Sequence, residues 1–243
     1  ASAITAVTAQ NTIGVQDVHP VPVPFISAQI SAVLDDIGAD AVKIGMLHSA
    51  EVVRAVRSSI ERYGIRNIVL DPVMVSTSGH RLIEDSAVQV LSSDMVPFAR
   101  VITPNIPEAE ILAGEKVRSQ EDLPGIGRLL SSRLSRISGR KVSVLMKAGH
   151  LEGSELIDYF YNAEEDHILE LRSERVLTRN THGTGCTISS AFASYLAQGF
   201  SLDESAIRAK EYISKAIASG ADYSIGHGHG PVDHFWKIRK LHI

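Results

Sequence analysis

The chain has 243 residues, of which 44% are hydrophobic and 21% charged, with a formal net charge of −4. That length accommodates a sizeable core and predicts one domain across residues 1–243, while scattered Lys and Arg without a basic stripe argue against a nucleic-acid partner. A single cysteine excludes an internal disulfide and a zinc-type Cys pair, which predicts a reducing, cytoplasmic home; no apolar stretch is long enough to span a bilayer, and Ala1-Ser2-Ala3-Ile4 lacks the basic start of a secretion signal.

Along the chain, short apolar, β-branched runs alternate with longer amphipathic segments. This predicts an α/β protein, a mainly parallel central sheet covered by helices on both faces. Strands are predicted at Ile4–Gln10, Asp40–Leu47, Asn67–Asp71, Arg100–Thr103 and Val142–Lys147, each followed by turn residues. Ser49 is the expected N-cap of a helix whose Val52, Val53, Val56 and Ile60 share one face and which ends at Gly64. Leu156–Val176 reads as antiparallel strands around the acidic turn Ala163-Glu164-Glu165-Asp166. Ser201-Leu202-Asp203-Glu204 reads as a capping box opening a helix towards Gly220. The sequence shows neither an internal repeat nor a low-complexity linker.

The strongest motif is His182-Gly183-Thr184-Gly185-Cys186, placed between a strand-like stretch and an apolar-periodic helix at Thr187–Gln198. Glycines let successive N–H groups point at an anion, and the following helix adds the positive end of its dipole. The same run also fits an ordinary Gly-rich loop. At that helix start the dipole favours a thiolate on Cys186, able to accept a hydroxyl proton; a small buried hydrophobe is the other use of a lone Cys.

Two further segments close strands: Asp71-Pro72-Val73-Met74, and Thr103-Pro104-Asn105-Ile106-Pro107-Glu108. In open α/β sheets ligands sit beyond the carboxyl ends of strands. Asp71 and Glu108 are hard oxygen donors suited to Mg²⁺, or else a turn-forming Asp and a Glu in a helix's first turn. Lys147, in Lys147-Ala148-Gly149-His150, can reach nucleotide phosphates or end a strand in solvent. Gln10 offers a carbonyl and an amide together, matching an aminopyrimidine edge. Met46 can lay its thioether on an aromatic ring or fill core space. Gly226-His227-Gly228-His229-Gly230-Pro231 lacks a metal partner of compatible local spacing and reads as a flexible loop near the nucleotide.

Taken together, Ala3–Thr12, Val42–Leu47, Leu70–Met74, Thr103–Asn105, Asn180–Cys186 and Gly226–Pro231 closely resemble the hydroxymethylpyrimidine and phosphomethylpyrimidine kinases of thiamine biosynthesis, within the ribokinase-like superfamily. The resemblance implies a three-layer α/β/α sandwich and transfer of the ATP γ-phosphate to 4-amino-5-hydroxymethyl-2-methylpyrimidine, then to its monophosphate. By matching motif, Cys186 is the base and Gly183, Thr184 and Gly185 belong to the anion hole. Gln10 binds the pyrimidine edge, with Met46 and Val73 against its ring. Asp71 and Glu108 match Mg²⁺ positions, while Asn105 and Lys147 lie near ATP. A homodimer is also implied. So is an N-terminal strand, Gly-rich turn and helix with an acidic substrate contact, ahead of the segment that opens this sequence; a sheet without that strand is expected to expose an unpaired edge. Ala148 stands where relatives often carry a second Gly.

The rival functions are a pyridoxal-type vitamer kinase and a catalytically inactive ligand-binding module. A dinucleotide-dependent oxidoreductase is excluded, because no strand is followed by Gly-x-Gly-x-x-Gly.

Overall fold

The computed structural model describes residues 1–74, 83–149, 151 and 153–239. His150 of the predicted strand-end motif lies outside the described residues.

The first predicted strand joins a different sheet from the one expected. Ala6–Gln10 (β1) pairs antiparallel with Val15–Pro20 (β2) as a two-stranded hairpin outside the main sheet. The local reason is Asn11, whose side-chain carbonyl accepts the N–H groups of Ile13 and Gly14 at 2.9 and 3.2 Å, while its own N–H donates to Gly14 O at 3.1 Å. An Asx-type turn of this kind folds the chain back on itself before it can enter a parallel ladder.

After Val23–Leu34 (α1), the main sheet begins with Val42–Ile44 (β3) and continues through Ile68–Leu70 (β4), Val101–Ile102 (β5) and Ser143–Met146 (β6), which pair in parallel in that order. Glu155–Asn162 (β7) and His167–Glu174 (β8) extend it antiparallel, as the sequence predicts, with Asp166 in the turn at φ 55°. Helices Ala50–Arg62 (α2), Asp85–Val90 (α3), Ile106–Ala113 (α4) and Leu123–Ser138 (α5) lie between the parallel strands in sequence. Thr184–Ala197 (α6), Leu202–Gly220 (α7) and the short Trp236–Arg239 (α8) follow. Ser49 caps α2 and the Ser201–Glu204 box caps α7.

Alternation along the strands builds two cores, because successive strand residues point to opposite faces. Ile68, Leu70, Ile102, Val144 and Met146 pack with α1, α2, α4 and α5; Val69, Val101, Leu145 and Phe160 pack with α6 and α7. The result is the expected α/β/α sandwich, with a sheet buried on both faces and the carboxyl ends of β4, β5 and β6 aligned at one edge. No helix among the described residues is long and apolar enough to cross a membrane.

Candidate active site

Three of those strand ends deliver chemistry to one place. Asp71 follows β4, Thr103 follows β5 and Lys147 follows β6. Lys147 Nζ lies 2.8 Å from Asp71 Oδ1, which also accepts the Thr103 hydroxyl at 3.1 Å. Asp71 and Thr103 are buried. A buried carboxylate is tolerated only when paired and hydrogen-bonded, and both conditions hold for Asp71.

Glu108 comes to the same place on the first turn of α4. Asn105 and Glu108 form a reciprocal capping box: the Asn105 N–H donates to Glu108 Oε2 at 2.8 Å, and the Glu108 N–H donates to Asn105 Oδ1 at 2.9 Å. Glu108 thus stands in the first turn of its helix, one of the two places the sequence allows it, and its carboxylate takes part in the cap. Burial pushes its pKa up to about 7; Lys147 and the donating N–H groups of Asn105 and Met74 oppose that rise, and Asp71 reinforces it. Burial acts to lower the Lys147 pKa, but Asp71 and Glu108 outweigh it and hold the ammonium above its ordinary value.

Opposite this cluster stands the start of α6. Gly183 is its N-cap at φ 84°, a left-handed conformation that L side chains rarely adopt. Unlike α2, α4 and α7, α6 has no side-chain cap; its Thr184 N–H donates back to Thr181 O at 3.3 Å. A Cβ placed on Gly185 would meet Lys147 Nζ at 3.2 Å and Asp71 Oδ2 at 3.7 Å. Those distances fix the ion pair directly against the Gly183–Cys186 turn. The helix begins at Thr184, three residues earlier than predicted, so Cys186 sits inside its first turn, exposed, and near enough to Lys147 to act on it electrostatically. Thr187 anchors the turn, donating to Gly183 O at 2.7 Å and sharing a 2.9 Å contact with His234 Nε2.

Of the pyrimidine-side candidates, Gln10 ends β1, Met46 follows β3 and Val73 follows β4. The Thr5 hydroxyl donates to Met46 O at 2.9 Å, and at the hairpin tip Thr12 O accepts the His229 N–H at 2.8 Å. His182 N–H in turn donates to Gly230 O at 2.9 Å. The hairpin carrying Gln10 thus spans from Met46 to the loop that holds the start of α6. Gln10 is exposed there, with the Thr8 hydroxyl 3.4 Å from its carbonyl, and is not in contact with the Asp71–Lys147 pair. Met46 packs against the core, its blander use, and half-buried Val73 donates its N–H to Asp71 O at 2.8 Å. The glycines of 226–230 serve close packing: a Cβ on Gly228 would lie 2.0 Å from Thr12 O, and one on Gly230 would lie 1.9 Å from Asn180 Oδ1.

Against known proteins, residues 1–233 match the model of the family described as phosphomethylpyrimidine kinase. The chain belongs to the phosphomethylpyrimidine kinase family. Among similar members, the hydroxymethylpyrimidine/phosphomethylpyrimidine kinase of Rhizobium meliloti is 41% identical over 240 residues, covering 98% of this chain and 87% of that protein. The thiamine biosynthesis bifunctional protein ThiED of Geobacter sulfurreducens is 45% identical over 233 residues, 96% of this chain but 46% of that protein, so the chain spans about half of this longer relative. Among solved structures, the pyridoxal kinase of Staphylococcus aureus in complex with AMP-PCP and pyridoxal superposes with a TM-score of 0.84 at 29% identity, covering 98% of this chain and 82% of that one. The fold of this phosphomethylpyrimidine kinase family member is therefore ribokinase-like.

Thr103, Thr12 and Asn180 lie inside the quoted motifs, but the sequence assigns them no role; in the structure Thr103 binds Asp71, Thr12 O accepts the His229 N–H, and Asn180 Nδ2 donates to Gly220 O, Ala221 O and Tyr223 O. Thr103 was visible inside Thr103-Pro104-Asn105, but a hydroxyl's partner across two strands depends on register. Asp158 and Lys210 carried no local signal, since Glu155 lies on the same strand and Asp203, Glu204, Arg208, Glu211 and Lys215 on the same helix.

Proposed function

We propose that residues 1–243 form one kinase domain that transfers the γ-phosphoryl group of ATP to the hydroxymethyl oxygen of 4-amino-5-hydroxymethyl-2-methylpyrimidine, and then a second phosphoryl group to the monophosphate. The observation that carries this is the meeting of the Asp71–Lys147 pair with the uncapped, glycine-led start of α6 at Gly185. Phosphoryl transfer asks chiefly for positioning and charge neutralisation. Lys147 supplies a fixed cation for the nucleotide phosphates, and the N–H groups of the Gly183–Cys186 turn supply dipoles for the charge that builds on the transferred group. Cys186, exposed at that turn, takes the hydroxyl proton as the oxygen attacks phosphorus and the bond to the β-phosphate oxygen breaks.

Mg²⁺ is the metal this chemistry implies, and Asp71 and Glu108 fit it: both are hard oxygen donors, and Glu108 is a buried acid whose pKa is raised beside a second carboxylate. When bound, the ion neutralises phosphate charge. Gln10 reads the aminopyrimidine edge from the hairpin, Met46 and Val73 border the ring, and Asn105 lies near the nucleotide. A cytoplasmic homodimer completes this reading, supported by the family resemblance and the lone cysteine.

One observation favours a second reading: the close superposition on a pyridoxal kinase. The two separate when kcat/KM is measured for hydroxymethylpyrimidine and pyridoxal side by side with ATP and Mg²⁺. A preference for the pyrimidine of about tenfold or more is expected, the scale of one well-placed polar contact. Preference for pyridoxal overturns the substrate assignment, and turnover of neither by folded protein overturns the kinase reading.

A further inference from the structure

The β6–β7 ladder pairs Val144 with Tyr161, Leu145 with Phe160 and Met146 with Tyr159. Continuing that register would set Ala148 opposite Ile157, with their backbone groups bonded to each other. The strands part instead, and side chains capture both N–H groups: Ala148 N–H donates to Asp158 Oδ1 at 2.7 Å, and Ile157 N–H donates to Gln120 Oε1 at 3.1 Å. Asp158 is buried, and its other oxygen accepts Lys210 Nζ at 2.7 Å from the middle of α7.

Lys210 is itself buried, and a buried ion pair is a weak source of net stability, because desolvation offsets most of the attraction. Its placement calls for another explanation. Lys147 immediately precedes the captured amide, and its own N–H donates to Pro104 O at 3.1 Å on the β5 side. The peptide that carries the site's ammonium is therefore gripped from both neighbouring strands, once by a backbone carbonyl and once by a carboxylate standing in for one.

We infer that Asp158 is a positioning residue for Lys147, with Lys210 as the counter-charge that lets a carboxylate occupy that buried place. Opening the ladder one step early frees the Lys147 side chain to leave the sheet edge towards Asp71, while Asp158 keeps the loosened backbone from drifting. The inference rests on the kinase reading above for what Lys147 does, but not for how it is held.

Two double variants of the full chain separate position from charge. Asp158→Asn with Lys210→Met keeps an acceptor for Ala148 and removes both charges; Asp158→Leu with Lys210→Met removes the acceptor as well. The first is expected to keep kcat/KM for ATP within about threefold of wild type. The second is expected to lose about tenfold through the KM for ATP, with the pyrimidine KM unchanged. Equal kinetics in the two folded variants overturns the inference, since a purely structural pair would lower thermal stability without moving the KM for ATP. Amide hydrogen exchange at Ala148 gives a second readout, independent of turnover. Slow exchange in wild type and in the Asn/Met variant supports the grip. Exchange at the rate of an unprotected amide in wild type sinks it, even where the Leu/Met variant does not fold. A wild-type chain that neither binds nor turns over nucleotide defeats the kinase reading, and the Ala148 exchange still decides whether Asp158 holds the loop.

Discussion

Glu108 and Cys186 are the residues on which the chemistry can be tested one at a time. Glu108 is an acid whose folded pKa, about 7, lies above its value of 4.5 in the open chain. Between those values the folded state holds a proton that the unfolded state has released, so this group's stabilising contribution is full below 4.5 and is lost as pH rises through 7. In metal-free protein, thermal stability should fall across that window. Glu108→Gln, which keeps an acceptor for the Asn105 N–H, should flatten the slope and gain on the order of 1–3 kcal/mol above it. An unchanged slope in the variant would show that Glu108 does not titrate there. For Cys186 the prediction divides the two transfers. A neutral alcohol gains from a base as its proton leaves, whereas a monophosphate, with a second pKa of about 6, is already largely ionised near neutral pH. Cys186→Ala should slow the first transfer by about 10²–10⁴-fold and the second by less than about tenfold. Equal losses would remove the base role. The places of Asp71 and Lys147 just after strands, and of Glu108 in a helix's first turn, were legible in the sequence. What was not legible is that one Asp71 oxygen serves Lys147 and Thr103 together, because that needs three strands in register.

Among the elements, legibility followed the locality of the signal. The caps of α2 and α7 are written within four residues, and both helices start where those residues place them. The start of α6 was placed too late because Gly183-Thr184-Gly185 reads as loop by composition, whereas the left-handed Gly183 ends the loop and lets the helix begin at once. β1 was misassigned because an apolar, β-branched run looks alike in a hairpin and in a parallel sheet; Asn11–Gly14 was the turn signal that decides it. The α6 start yields a paired test. Gly183→Ala and Gly139→Ala both force a left-handed Ala, at φ 84° and φ 67°, into space with no atom within 4 Å. Each should cost about 1–2 kcal/mol in urea unfolding. Activity should fall with Gly183→Ala alone, since Gly139 merely ends α5. Equal activity in the two variants would mean that the backbone path at Gly183 does not matter for transfer.

For the whole molecule, the order of strands and helices made the α/β/α layering readable, and the two cores confirm why: β4, β5 and β6 each send apolar residues into both cores because helices cover both faces. The sheet is also what holds the site together, since Asp71, Thr103 and Lys147 meet only while β4, β5 and β6 stay aligned. Phe160→Ala, at a fully buried site whose ring lies tilted 5.5 Å from that of Phe192, should cost about 3–5 kcal/mol in urea unfolding. Protein that remains folded should keep the wild-type KM for ATP, since Phe160 lies on the face towards α6 and α7 and not at the strand ends. The central claim is that this assembly phosphorylates a pyrimidine alcohol twice. Phosphorus NMR of the chain with ATP, Mg²⁺ and hydroxymethylpyrimidine tests it most directly. The account predicts a pyrimidine monophosphate signal that rises and then gives way to a diphosphate; ATP that is left intact, or consumed without either product, would contradict it.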